Sequence, residues 1–184
     1  MRAQLPVQVA ATARVVAIPD GPLDLDPEHR RAWERAVAHL ATVVPHVVPV
    51  ARPTAAPGRT LLTVVGAHLS GLPLNPQMVR LGGRLSHRDR TARAYRLLRL
   101  AGDGVPRPAL VGGGQGAFPV EVWELPSQGV GQLIDAIPAP LGLGRVRLWT
   151  GAEVVGFVCA EGGADGARDV SAAGGWRQHL AEQA

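Results

Sequence analysis

The sequence predicts an α+β fold: a small mixed β-barrel or half-open sheet with short flanking helices, preceded by an N-terminal β-α-β appendage. Three observations lead there. From Thr60 onward, short apolar or alternating runs bounded by Gly and Pro outnumber helical stripes. The helical stripes in that part are short, which suits a sheet with flanking helices better than a doubly wound fold. Residues 12–50 read strand, helix, strand, and ARPTAAPGR at 51–59 contains Pro and Gly without periodicity, as a linker does. The expected division is therefore 1–50, a linker at 51–59, and 60–184.

Taken in order, TARVVAIP at 12–19 is a short apolar strand. Asp26-Pro27-Glu28 supplies an N-cap, a proline at the first helical position and an acid in the first turn. Trp33, Val37, Leu40 and Val44 then form an amphipathic stripe, Pro45 stops the helix, and HVVPV resumes an extended run. LLTVV at 61–65 reads as a buried strand, and Asn75-Pro76 opens a short helix through Met78, Val79 and Leu81. ARAYRLLRL at 92–100 suits a strand. PVEVWELP at 119–126 sets Val120, Val122 and Glu124 against Glu121, Trp123 and Leu125. Ser127 opens a helix through Val130, Leu133, Ile134 and Ile137. RVRLW and VVGFVC, divided by Thr150-Gly151, make a hairpin, and a helix from Trp176 to Glu182 comes last.

Composition narrows the chemistry. A chain of 184 residues, 46% of them hydrophobic, can bury one real core and carry an appended piece. No apolar run approaches the roughly 20 residues that cross a bilayer, and the first residues do not read as a signal peptide. Cys159 is the single cysteine, so neither an internal disulfide nor a cysteine zinc site is expected, and the cytoplasm is the expected compartment. His29, His39, His46, His87 and His179 lack metal-ligand spacing and read as surface residues; no metal and no cofactor is expected. The net charge of +4 rests on arginine alone, because the sequence contains no lysine. That excludes Schiff-base catalysis and Ser–Lys centres. The arginines are scattered and aromatic side chains are few, so neither a nucleic-acid partner nor a membrane partner is expected.

One stretch concentrates chemistry: Gly66-Ala67-His68-Leu69-Ser70-Gly71, followed by Leu-Pro-Leu and Asn75. It leaves an apolar strand through a Gly-containing turn and enters a helix, an arrangement that gathers main-chain N–H groups and short polar side chains where a small anion can sit. His68 adds a group that exchanges a proton near neutral pH, although it also reads as a satisfied core histidine. Ser70 reads equally as a bond within its own turn, and Asn75 as a helix N-cap. Glu121 and Glu124 read as a buried acid and an edge charge with structural roles. Gly174-Gly175 reads as the turn before the last helix.

GAHLSGLPLN, TARAYRL, EVWELP, IPAPLGLG, GFVC and DVSAAGGWRQHL occur in this order, and together they resemble the C-terminal domain of allophanate hydrolase over residues 60–181. That family resembles the gamma-glutamyl cyclotransferase fold, so the same fold is implied here. Residues 12–50 are similar to a short stretch of the amidase domain that precedes it. Most of an amidase domain is absent and no lysine is present, so amidase activity is not expected. The resemblance implies decarboxylation of N-carboxycarbamate, the dianion left when an amidase has released ammonia from allophanate in urea nitrogen metabolism. A carbamate loses CO2 only as its nitrogen takes a proton, so such a site needs an aimed donor and cationic or N–H partners for two carboxylates. Set against that chemistry, His68 and Tyr95 are the expected catalytic residues, and Gly66, Ala67, Leu69, Ser70, Gly71, Asn75 and Arg93 the expected substrate-binding ones, although Tyr95 reads equally as packing on the sheet and Arg93 as a solvated strand residue. Arg96 is the alternative to Arg93, which alternation would place on the same strand face as Tyr95. The implied partners are a small dicarboxylate-like substrate and an amidase, with a homodimer left open. A binding module without turnover is the rival reading. Cyclotransferase activity ranks below both, because residues 136–144 hold no acid to serve as a base.

Overall fold

A computed structural model describes residues 15–19, 27–43, 46–50, 54–102, 104–160 and 162–183. Two compact units divide it, Met1–Pro53 and Thr54–Ala184. The first contains β1 (Val15–Pro19), α1 (Pro27–Val43) and β2 (His46–Val50), with β1 and β2 paired in parallel from Val15↔His46 to Pro19↔Val50. Parallel neighbours need a crossover, and α1 supplies it. Pro27 is its first residue, and Trp33, Ala36, Val37 and Leu40 are its half-buried positions, the stripe that the spacing predicts. The expected cap Asp26, the end of the stripe at Val44, the stop at Pro45 and linker residues 51–53 lie outside the described residues.

The second unit is built on a five-stranded sheet. In chain order its elements are β3 (Arg59–Val64), α2 (Asn75–Arg80), β4 (Arg84–Arg90), β5 (Tyr95–Arg99), β6 (Pro108–Gly112), β7 (Pro119–Pro126), α3 (Ser127–Ala136), β8 (Leu141–Arg147), β9 (Glu153–Cys159), β10 (Arg168–Asp169) and α4 (Trp176–Ala181). The large sheet runs β4-β7-β3-β9-β8, with a parallel pair only between β3 and β9; β10-β5-β6 form a smaller antiparallel sheet. Bridges at Thr91↔Leu148 and Tyr95↔Gly116 carry the chain between them. The mixed α+β class predicted from the sequence is the class observed.

Several expected strands hold with changed bounds, and β4, β6 and the two-residue β10 were not expected at all. β5 begins at Tyr95 rather than Ala92, and β8 begins at Leu141, so the hairpin with β9 is longer than RVRLW implies. β4, RLSHRDR, alternates half-buried and exposed positions, with arginines on its exposed face, and so presents no apolar run to read. β6 is a five-residue strand entered through Pro108.

Central placement buries β7 on both faces: Val120, Glu121, Val122, Trp123 and Leu125 are all buried. The core gathers Leu62, Val64, Met78, Leu97, Leu110, Phe118, Leu125, Leu133, Val146, Leu148 and Trp176. His179 corrects an expectation. It is 4% exposed, tilted against Trp176 with ring centroids 5.2 Å apart, because α4 turns that face inward.

Packing between β3 and β9 depends on a missing side chain. Gly156 pairs with Thr63, and a Cβ at Gly156 would lie 2.5 Å from Thr63 Cγ2 and 2.8 Å from Val146 Cγ2. We expect Gly156→Ala to overpack this seam and destabilise the unit by about 1–3 kcal/mol, measured as a lowered urea midpoint of tryptophan fluorescence; an unchanged midpoint would show that the seam yields freely.

Candidate functional site

The chain leaves β3 at Val64 and turns through residues 65–74 before α2. This turn is held by its own main chain: Leu69 N–H donates to Gly66 C=O at 2.9 Å, Leu72 N–H to Leu69 C=O at 2.9 Å, and Leu74 N–H to Ala67 C=O at 2.9 Å. Gly71 sits at φ +75°, where a residue with a Cβ is strained. Gly66 is required by close approach: a Cβ there would lie 2.2 Å from Pro108 Cγ. That contact lays the start of β6 against the turn and brings Arg107 with it.

A cavity of about 100 Å³ opens at this place. Its polar lining is His68, Gln77 and Arg107, and its apolar wall includes Val64, Leu74, Leu133, Ile137, Leu141 and Phe157. The His68 ring stacks on Phe157, centroids 4.9 Å apart and planes 7° from parallel. Its Nε2 lies 3.0 Å from Gln77 Oε1. An amide oxygen only accepts, so with Gln77 in this orientation Nε2 carries the proton and Nδ1 holds the basic lone pair of the neutral ring. Burial holds the His68 pKa below the ordinary histidine value; the Gln77 bond opposes this, and the Arg107 charge lowers it further. Among the described residues no carboxylate pairs with Arg107, which leaves its charge to the cavity.

The expected site residues divide. Gly66, Ala67 and His68 line the cavity. Leu69 is buried in the core behind them. Ser70 does not line the cavity: its N–H and its hydroxyl each donate to Glu121 Oε2 at 2.8 Å. Asn75 is neither a side-chain cap nor a cavity wall, because its Nδ2 donates to His68 C=O at 3.1 Å and ties the turn to α2. Tyr95 stands apart, its hydroxyl accepting from Arg147 N–H at 2.8 Å. Arg93 is exposed on a bend ahead of β5, so strand alternation does not couple it to Tyr95; Arg96 is exposed as well. The N–H cradle expected from Gly66 to Gly71 is thus partly spent on Gly66 C=O and Glu121. Gln77, Arg107 and Phe157 escaped the sequence reading. Arg107 stands between Pro106 and Pro108, a stiff context that was its available signal.

Glu121 is 3% exposed. Burial alone would raise its pKa, but the Ser70 N–H and hydroxyl, the Trp123 indole N–H and the Arg177 charge outweigh that and hold it below the ordinary carboxylate value. Among the described residues no group of three His, Cys, Asp or Glu side chains is placed to hold a metal ion, and no helix is long and apolar enough to cross a membrane.

An α+β fold with a histidine-bearing turn after the strand that opens the sheet defines a class, and comparison assigns the family. Residues 60–181 match the allophanate hydrolase C-terminal domain, and the chain belongs to that family. It is 37% identical over 125 residues to the urea amidolyase of Saccharomyces cerevisiae, covering 65% of this chain and 7% of that protein. Among solved structures, an allophanate hydrolase from Kluyveromyces lactis superposes with a TM-score of 0.65 at 33% identity, over 68% of this chain and 21% of that one. A uropathogenic E. coli-specific protein gives a TM-score of 0.61 at 33% identity, over 67% of this chain and 96% of that one. The fold observed here is the one shared with the allophanate hydrolase structure. The chain therefore spans under a tenth of the curated relative that it matches, yet nearly all of the E. coli protein.

The charge environment of His68 is testable directly. We expect Arg107→Ala to raise the imidazole pKa towards the ordinary histidine value, since a neighbouring cation is removed, and Gln77→Leu to lower it further, since an acceptor for Nε2–H is removed. NMR titration of the ring protons reads both. Because folding holds this ring neutral, its contribution to stability falls as pH drops through the ordinary histidine range.

Proposed function

We propose that the unit beginning near Thr60 binds a small N-carboxylated acid in the His68–Arg107 cavity and decarboxylates it, with N-carboxycarbamate as the reference substrate. The observation that carries this is an imidazole and a guanidinium, the latter without a carboxylate partner among the described residues, lining one small cavity in a chain of the allophanate hydrolase C-terminal family. Urea amidolyase and allophanate hydrolase are the names of relatives in which the matching region is a small part of a longer protein. An amidase partner, in the same chain or beside it, would supply the substrate.

In this mechanism Arg107 takes the role that the sequence assigned to Arg93, pairing one carboxylate in the forked geometry of a guanidinium. Gln77 keeps the proton of the neutral ring on Nε2, so Nδ1 is the nitrogen that takes up a proton. A dianion entering the cavity opposes the depression of the His68 pKa, because two negative charges favour the imidazolium. Nδ1–H then delivers its proton to the substrate nitrogen as the C–N bond breaks. The bond pair goes to nitrogen, CO2 leaves and carbamate remains, so one proton is consumed for each CO2 released. Tyr95, bonded to Arg147, has no part in these steps.

N-carboxycarbamate generated by a separately added allophanate amidohydrolase gives the test. We expect His68→Ala to slow early CO2 release on the order of 10²–10⁴-fold, and Arg107→Ala to abolish stabilisation of the chain by malonate, a stable dicarboxylate of similar span. Release at the rate of the solution reaction, with malonate still stabilising the wild type, would demote the cavity to a binding module. Residues 12–50 we read as a β-α-β remnant of an amidase domain.

A further inference from the structure

Glu121 is buried and ionised, yet it is absent from the cavity. Its register explains what it reaches. It lies opposite Val64, the last residue of β3, and opposite Arg88 on β4. A carboxylate at that point meets the chain as it turns out of the sheet. Oε2 accepts from Ser70 N–H and Ser70 Oγ at 2.8 Å each, and from Trp123 Nε1 at 3.3 Å. Oε1 faces Arg88 Nε at 3.5 Å and Arg177 NH2 at 3.6 Å. Both arginines are substantially exposed, at 70% and 47%, so these longer pairs are worth little. The close bonds are those to Ser70. Arg177 completes the grip, its NH2 donating to Ser70 C=O at 2.5 Å. Both main-chain groups of Ser70 are thus held from outside the turn, two residues beyond His68.

We infer that Glu121 is a positioning residue: through Ser70 it sets the turn so that the His68 ring lies flat on Phe157 with Nε2 on Gln77. The inference concerns the geometry of His68 and uses the proposed substrate class only in its ligand arm. A neutral amide at position 121 could still turn its oxygen to Ser70, but without the charge that strengthens both bonds, and its NH2 would then face Arg88 and Arg177, donor against donor. The turn would loosen without a change of volume.

The test compares Glu121→Gln, Ser70→Ala and Arg88→Ala in the full chain, with His68 ring NMR shifts, amide hydrogen exchange at residues 66–72 and malonate affinity as readouts. The expected result for Glu121→Gln is loss of protection at Ser70, displacement of the His68 ring signals from their stacked positions, and malonate affinity weakened about tenfold, the scale of one charge-assisted hydrogen bond. Ser70→Ala, which keeps the N–H bond, should move the same signals less. Arg88→Ala, which touches the same carboxylate but not the turn, should leave them in place. Should Glu121→Gln fail to fold, Ser70→Ala carries the comparison. His68 signals unmoved in the folded variant, or moved equally by Arg88→Ala, would overturn the inference. Absence of malonate binding to the wild type would count against the cavity's proposed ligand class and leave the His68 arm decisive for Glu121.

Discussion

Where β3 ends, the chain must leave a five-stranded sheet without stranding polar main-chain groups in the interior. The ionised, buried carboxylate of Glu121 solves half of this by accepting from Ser70, and the site is arranged around that bond. The remaining turn groups close on each other or on neighbours: Gly66 C=O with Leu69 N–H, Ala67 C=O with Leu74 N–H, His68 C=O with Asn75. A turn held at so many points has little freedom to carry His68 anywhere but onto Phe157. The cost of burying a charge is met because its partners stand at hydrogen-bonding distance rather than merely nearby.

Charge is thereby sorted into two groups. Glu121 has its own donors and cations and does not line the cavity, so its negative charge does not oppose an anionic ligand. Arg107 has no carboxylate partner among the described residues and does line it. His68, held neutral by burial, lies where the approach of an anion changes its protonation most. The apolar wall from Leu74, Leu133, Ile137, Leu141 and Phe157 strengthens each of these interactions by excluding water.

Much of this was legible residue by residue. The helix from Pro27, the buried strand before Gly66, the helix opened at Ser127 and the hairpin at Gly151 follow from periodicity and turn chemistry, which are local. β4 was hidden because RLSHRDR carries its arginines on the exposed positions of a half-buried strand and polar residues among the half-buried ones. At His179 a polar residue type concealed a buried position. Tyr95 and Arg93 looked like one unit because alternation was assumed to run through both, whereas the strand starts at Tyr95 and its hydroxyl serves Arg147.

Local sequence determined the turn itself: a strand that stops at two glycine-bounded polar residues, a proline-started helix beyond it, and a histidine between them. It also determined the chemistry that is excluded, because a chain without lysine has no side-chain amine to act as a nucleophile. What only the tertiary structure decided is the company His68 keeps. Phe157 arrives from a strand that pairs in parallel with β3, Arg107 arrives because Gly66 leaves room for Pro108, and Ser70 turns from ligand to anchor because Glu121 lies opposite Val64. Those juxtapositions join residues far apart along the chain. No spacing within one segment encodes them, since they depend on which strands pair and in what register.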